Sequence, residues 1–306
     1  MVAGMLAPVS FIVRVLVLLA LVAGVVGADE KTSHAAAIEA WRKQRVEELT
    51  KEDGWLTLIG LHFMKTGANT VGSARDNDIV LAKAPPHVGT ITVAADGKVT
   101  LATDRTSGVR VDGADVVAAE LMWADARKPT LVTTGTLTFF VVDRGGKKAL
   151  RVKDSAAESR THFLGLDYFP TDPAWRIEAQ WIPFEKSRLV PITTMIGQTA
   201  PEPVPGKAVF ERDGRTIELL PIDEGRDVRL FFVISDLTSG KETYGGCRFL
   251  YVDWPKEGER TIVLDFNRAE NPPCAFTAFS TCPLPPKENR LPFAVRAGEK
   301  SYRGGH

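Results

Sequence analysis

Lys207-Ala-Val-Phe-Glu-Arg-Asp-Gly-Arg-Thr-Ile-Glu-Leu-Leu-Pro-Ile222 is the stretch that decides the fold. Two β-prone runs, Lys207 to Arg212 and Thr216 to Ile222, flank Asp213-Gly214. An Asp-Gly pair in that position is the tight turn of an antiparallel hairpin. Similar runs surround it: Trp175 to Phe184, Val228 to Ser235, Arg248 to Asp253 and Thr261 to Phe266. Leu230-Phe-Phe-Val-Ile234 is apolar on both faces and is expected to be a central strand.

The region that follows cannot extend such a sheet. Asn271-Pro-Pro-Cys274, Pro283-Leu-Pro-Pro286 and Leu291-Pro292 supply prolines, which have no N–H to donate to a ladder. This tail is expected to wrap the second β domain, residues 161–306. Upstream, Ile79 to Leu81, Thr90 to Val93, Lys98 to Leu101, Val109 to Val111 and Thr136 to Val142 alternate with Gly- and Asp-rich turns. Short strands at that spacing predict a β-sandwich over residues 55–152. Lys153-Asp-Ser-Ala-Ala-Glu-Ser-Arg160 is the polar boundary between the two. Within residues 29–54, Ser33 to Leu49 reads as a helix: Ser33 can cap it, Ile38, Trp41, Val46 and Leu49 share a face, and Glu39/Lys43 and Lys43/Glu47 pair on another. The fold class is therefore all-β with one N-terminal helix.

Residues 1–28 read as a leader. Arg14 precedes an apolar run from Val15 to Val26, and Gly27-Ala28 lead into polar Asp29-Glu30, the order of a cleavable export signal. The expected mature protein begins at Asp29, is periplasmic or secreted, and has no stable membrane insertion. Basic and acidic residues number 38 each, and only Arg14 is lost with the leader. Near-neutrality gives no electrostatic reason to bind nucleic acid. In an oxidising compartment, Cys274 and Cys282 are the pair expected to form a disulfide, with Cys247 left free. The five histidines (His34, His62, His87, His162 and His306) are scattered, and none stands at ligand spacing from a cysteine. No metal site and no cofactor are expected.

Two resemblances add to this reading. Thr66-Gly-Ala-Asn-Thr-Val-Gly-Ser-Ala-Arg-Asp-Asn-Asp-Ile-Val-Leu81 and Thr106-Ser-Gly-Val-Arg-Val-Asp-Gly113 resemble the strand and turn order of the forkhead-associated fold. That resemblance implies a β-sandwich. The donors that read phosphothreonine are missing, because Ser73, Ala84-Pro-Pro-His87 and Ser107-Gly108 stand in their places. The whole mature chain is also similar to a bacterial and archaeal domain-of-unknown-function family, number 1684 in that series. The carrying motifs are Trp41-Arg-x-x-Arg45, Gly54-Trp-Leu-Thr-Leu-Ile-Gly60, Thr243-Tyr-Gly-Gly-Cys-Arg-Phe-Leu250, Asp265-Phe-Asn-Arg268, Asn271-Pro-Pro-Cys274, Cys282-Pro-Leu-Pro-Pro286, Asn289-Arg-Leu-Pro292 and Ala297-Gly-Glu299. The chain departs from that pattern at Cys247, where a small residue is expected. The resemblance implies an architecture and no reaction.

The candidate binding residues are Asp265, Asn267, Arg268, Asn271, Asn289 and Arg290, joined by Arg248. An arginine there can clamp a carboxylate or phosphate while the amides orient it. The same side chains can equally satisfy the backbone of a tail without ladder bonds. The function expected from them is binding of a small molecule or an envelope partner protein. The alternative is a hydrolase using Cys274 or an Asp265/His162 pair, although the sequence has no nucleophile elbow, phosphate-cradling loop or zinc-protease helix.

Overall fold

The computed structural model describes residues 32–123, 128–225 and 228–304. The expected leader lies outside them. Helix α1 covers residues 32–50. It forms on the expected face, with Ile38 and Leu49 essentially inaccessible to solvent. Its surface ion pairs among the described residues fall at i,i+3, Glu39–Arg42 and Glu48–Lys51, rather than at the i,i+4 spacing that the sequence offers.

Eleven strands follow: β1 (Leu58–Phe63), β2 (Gly67–Gly72), β3 (Ile79–Val80), β4 (Gly89–Val93), β5 (Val99–Thr103), β6 (Arg110–Val111), β7 (Ala114–Asp115), β8 (Ala118–Glu120), β9 (Val132–Thr134), β10 (Leu137–Arg144) and β11 (Lys147–Asp154). They form two sheets, ordered β1-β11-β10-β9-β6-β7 and β3-β2-β4-β5-β8. Residues from both, among them Val71, Ile91, Leu101, Phe139, Leu150 and Val152, share one apolar core, so this unit is a β-sandwich.

The second unit begins with a long hairpin of β12 (Arg176–Thr193) and β13 (Thr199–Arg212), followed by β14 (Arg215–Leu219), β15 (Leu230–Ile234), β16 (Arg248–Val252) and β17 (Thr261–Asp265). Its sheets are ordered β14-β13-β12-β17 and β15-β16, all antiparallel. Asp213 and Gly214 have φ of 50° and 71°, the conformation the Asp-Gly turn requires. The β12–β13 arms run past the expected end at Phe184. Pro183, Pro191, Pro201 and Pro203 all occupy paired positions, and the register shifts between Pro183 and Arg188. β17 pairs only with residues 176–180 and β14 only with residues 208–212. The outer half of the hairpin therefore has no flanking strand and tolerates proline where the missing N–H faces outward, a placement invisible in the local sequence.

β15 corrects a second expectation. It is buried along its whole length, yet its ladder partner is β16 alone, with one further bridge from Ile222 to Phe231. Its burial comes from packing on both faces. Leu230, Phe232 and Ile234 enter one core with Trp175, Leu264 and Phe266. Phe231 and Val233 enter another with Ile192, Cys247 and Cys274.

After β17 the tail is irregular, as expected, with single 3-10 turns at Phe266–Arg268, Pro273–Ala275 and Lys287–Asn289. It is held by side chains. The Asn289 amide accepts from Leu220 N–H at 2.8 Å and donates to the carbonyls of Leu220 and Val233 at 2.8 and 2.9 Å.

Candidate functional site

Much of the polar constellation expected in the tail is consumed internally. Arg248 on β16 is about 1% exposed, donates to Asp236 at 2.7 Å and bonds the carbonyls of Val295 and Ala297. Asn267 is inaccessible and joins the Asp172 backbone to Asp265. Asn271 donates its N–H to Glu299 and its amide to the Lys300 carbonyl. Arg290 is exposed. Arg248, Asn267, Asn271 and Asn289 satisfy the backbone of a chain that lacks ladder bonds.

Asp265 and Arg268 are placed differently. Both line a cleft of about 660 Å³, together with His34, Arg176, Arg229 and Tyr251. Asp265 closes β17, Tyr251 belongs to β16, Arg176 opens β12, and α1 brings His34 over them from 231 residues away. His34 Nε2 lies 2.7 Å from Asp265 Oδ2, and Arg268 Nε lies 3.9 Å from the same oxygen. His34 Nδ1 and Arg268 Nε are buried atoms with no hydrogen-bond partner among the described residues. Arg229 stacks 5.3 Å from the Tyr251 ring centre. Neither Arg176 nor Arg229 forms an ion pair among the described residues. The expected partnership of Asp265 with His162 is therefore corrected: the histidine on Asp265 is His34, whereas His162 is exposed and 3.5 Å from Thr161 Oγ1.

A second recess, of about 240 Å³, shares Tyr251 with the first. It lies where β10 and β11 of the sandwich face β15 and β16, and it contains Arg144, Arg151, Trp55 and Phe231. Arg45 of α1 reaches it and pairs with Glu299 at 3.0 Å and Glu270 at 3.3 Å. Burial is the main cause that pushes the Glu270 carboxyl up to about 7; Arg45 opposes the shift and Glu299 adds to it.

Cys274 and Cys282 meet, but the expected disulfide is not formed: all three cysteines are free thiols. Each backbone N–H of the pair donates to the other's sulfur, at 3.3 and 3.2 Å, and Ser280 Oγ lies 2.9 Å from Cys274 Sγ. Hydrogen bonds from Cys282 and Ser280 ease the first ionisation of the pair to about 6 at Cys274, while the hydrogen bond to Cys274, burial and the charge on Cys274 push the Cys282 thiol far up. Cys247 belongs to the same apolar cluster, and burial raises its thiol.

His34, Arg176, Arg229, Arg144 and Arg151 were not singled out from sequence. The first three lie on α1 and at strand starts, in no recognisable motif. The last two sit on sandwich strands whose exposed face looked ordinary. Among the described residues no group of three or more metal-ligating side chains converges, and no helix is long and apolar enough to cross a membrane.

Residues 161–300 match the model of a family described as "Protein of unknown function (DUF1684)". The solution structure of an uncharacterized protein of Haloarcula marismortui is 33% identical over 47% of this chain and 80% of that one, with a TM-score of 0.39. A crystal structure of Rad53 with AMP-PNP is 16% identical over 58% of this chain and 39% of that one. Its TM-score is 0.15, so the forkhead-associated likeness gains nothing from it. No curated protein matches the chain.

Proposed function

For a chain whose residues 161–300 belong to the DUF1684 family of proteins of unknown function, we propose binding of a small organic anion in the cleft of His34, Asp265 and Arg268, after export from the cytoplasm. The carrying observation is the convergence of Arg176, Arg229 and Arg268 on one cleft of about 660 Å³, with two of these guanidinia outside any ion pair among the described residues. Arginines placed so are suited to carboxylate or phosphate, and the volume falls within the range of small-molecule sites. The His34–Asp265 pair gives the ligand a fixed polar end beside the cations.

A hydrolytic reading has one observation in its favour. Asp265 orients His34, whose Nδ1 is left without a partner, which is the arrangement of a general base and its orienter. Cys274 does not serve that reading, because it is about 5% exposed and does not line the cleft.

The test is mass spectrometry of small molecules released on denaturing the purified protein. An anionic compound should be present in the wild type and lost from Arg268→Ala, whose melting temperature stays nearly unchanged because the side chain is 38% exposed. The same small-molecule content in both proteins would sink the proposal.

A further inference from the structure

Arg151 lies in the middle of β11, between Leu150 and Val152, which point into the sandwich core. Strand alternation turns Arg151 to the opposite face, where a charged residue normally meets water. Here that face is covered. Phe231 and Phe249 of the second unit line the same recess, and Arg151 is only about 9% exposed. None of its guanidinium N–H groups finds an acceptor among the described residues, and its Nε is fully shielded. The neighbouring Arg144 donates one N–H to the Asp143 carbonyl at 2.7 Å and leaves a buried Nε unpaired. Neither forms an ion pair among the described residues. Burial is the main cause that pushes Arg151 down to about 10, with the like charge of Arg144 adding to it.

A buried cation without a partner is among the more destabilising features a fold can carry. A ligand that supplies the missing negative charge removes that penalty. The recess also offers an apolar surface. Trp55 lies with its ring 5.6 Å from the Arg151 guanidinium, and Phe231 and Tyr251 stack against each other at 5.0 Å. Arg144, Glu224, Phe231, Thr281 and Pro283 also line an adjoining space of about 530 Å³, so a ligand body can extend beyond the arginines.

We propose that Arg144 and Arg151 form a second, independent binding site, which takes the carboxylate or phosphate group of a small organic molecule and seats its apolar body along Trp55 and Phe231. The site is separate from the arginines of the first cleft and does not depend on that cleft's function.

Cys282 also lines the recess, and negative charge on its sulfur would favour the Arg151 cation. A thiolate on the Cys274–Cys282 pair is the rival partner. The experiment is calorimetric titration of the full mature chain, kept reduced, with benzoate and with phenyl phosphate. These probes share a ring and differ in the oxyanion, so their order of affinity tells carboxylate from phosphate. Saturable binding of at least one is expected. Arg151→Met should weaken it about tenfold or more, the scale of one lost charge-assisted contact, with a melting temperature at or above the wild type. Arg144→Met, at the more open edge, should weaken it without threatening the fold. All titrations are run in the Arg268→Ala background, so that the first cleft contributes no binding of either probe. No saturable binding of either probe would overturn the proposal, as would equal affinity with and without Arg151→Met. A raised apparent thiol pKa in Arg151→Met with binding retained would make Arg151 the counter-ion of the cysteine pair instead.

Discussion

Arg248 and Arg268 show how one residue type serves opposite purposes within a short stretch of chain. The Arg248 guanidinium is enclosed by Asp236 and by the carbonyls of Val295 and Ala297, so it organises the tail and has nothing left to offer a ligand. Removing it leaves Asp236, about 8% exposed, as a buried anion without its cation. Arg248→Met is expected to destabilise by about 3–5 kcal/mol, and the double variant Arg248→Met/Asp236→Leu to recover part of that loss. Urea unfolding of the two variants checks this; a single variant within about 1 kcal/mol of wild type would contradict it. Arg268, twenty residues along, keeps a partly exposed side chain over the cleft. Both arginines were legible as candidates, because arginine near asparagine and aspartate is a sound signal of polar recognition. Which of them faced a ligand was not legible, since that depends on what else packs against each side chain.

At the level of elements, α1 docks by charge as well as by apolar contact. Leu49 packs with Leu56 and Phe276, while Arg45 holds Glu299 and Glu270 of the tail. With Glu299 fully buried beside the same cation, Glu270 keeps a proton to about pH 7. Its folded pKa is raised above the unfolded value. The unfolded chain therefore ionises first as pH rises through about 4.3, and the penalty on the folded state is complete above about 7. Glu270→Gln is expected to remove this loss, gaining up to about 3 kcal/mol on wild type at pH 8 and nothing near pH 4. Unfolding midpoints of the two proteins across that range measure it, and parallel curves would refute it. The helix itself was legible from its apolar spacing. Its role as the bridge that carries His34 and Arg45 to the second unit was not, because the partners lie 231 and 254 residues away.

For the whole molecule, the export expectation makes a direct prediction: protein recovered outside the cytoplasm begins at Asp29, as N-terminal sequencing or intact mass will show. An intact residue 1 on that protein would refute it. What the sequence determined by itself was local. Alternating β-branched and apolar residues, the Asp213-Gly214 turn and the prolines after residue 270 act through neighbours a few positions apart, so strands, hairpin and irregular tail could be read directly. The tertiary structure alone decided the rest. It buried the outer face of β11 and so stranded Arg151, packed β15 between two cores rather than at the centre of a sheet, and set His34 on Asp265. Each of these is a contact between segments distant in sequence. Such contacts follow from the burial of apolar surface by the chain as a whole, and no window of neighbouring residues records which surface will be covered.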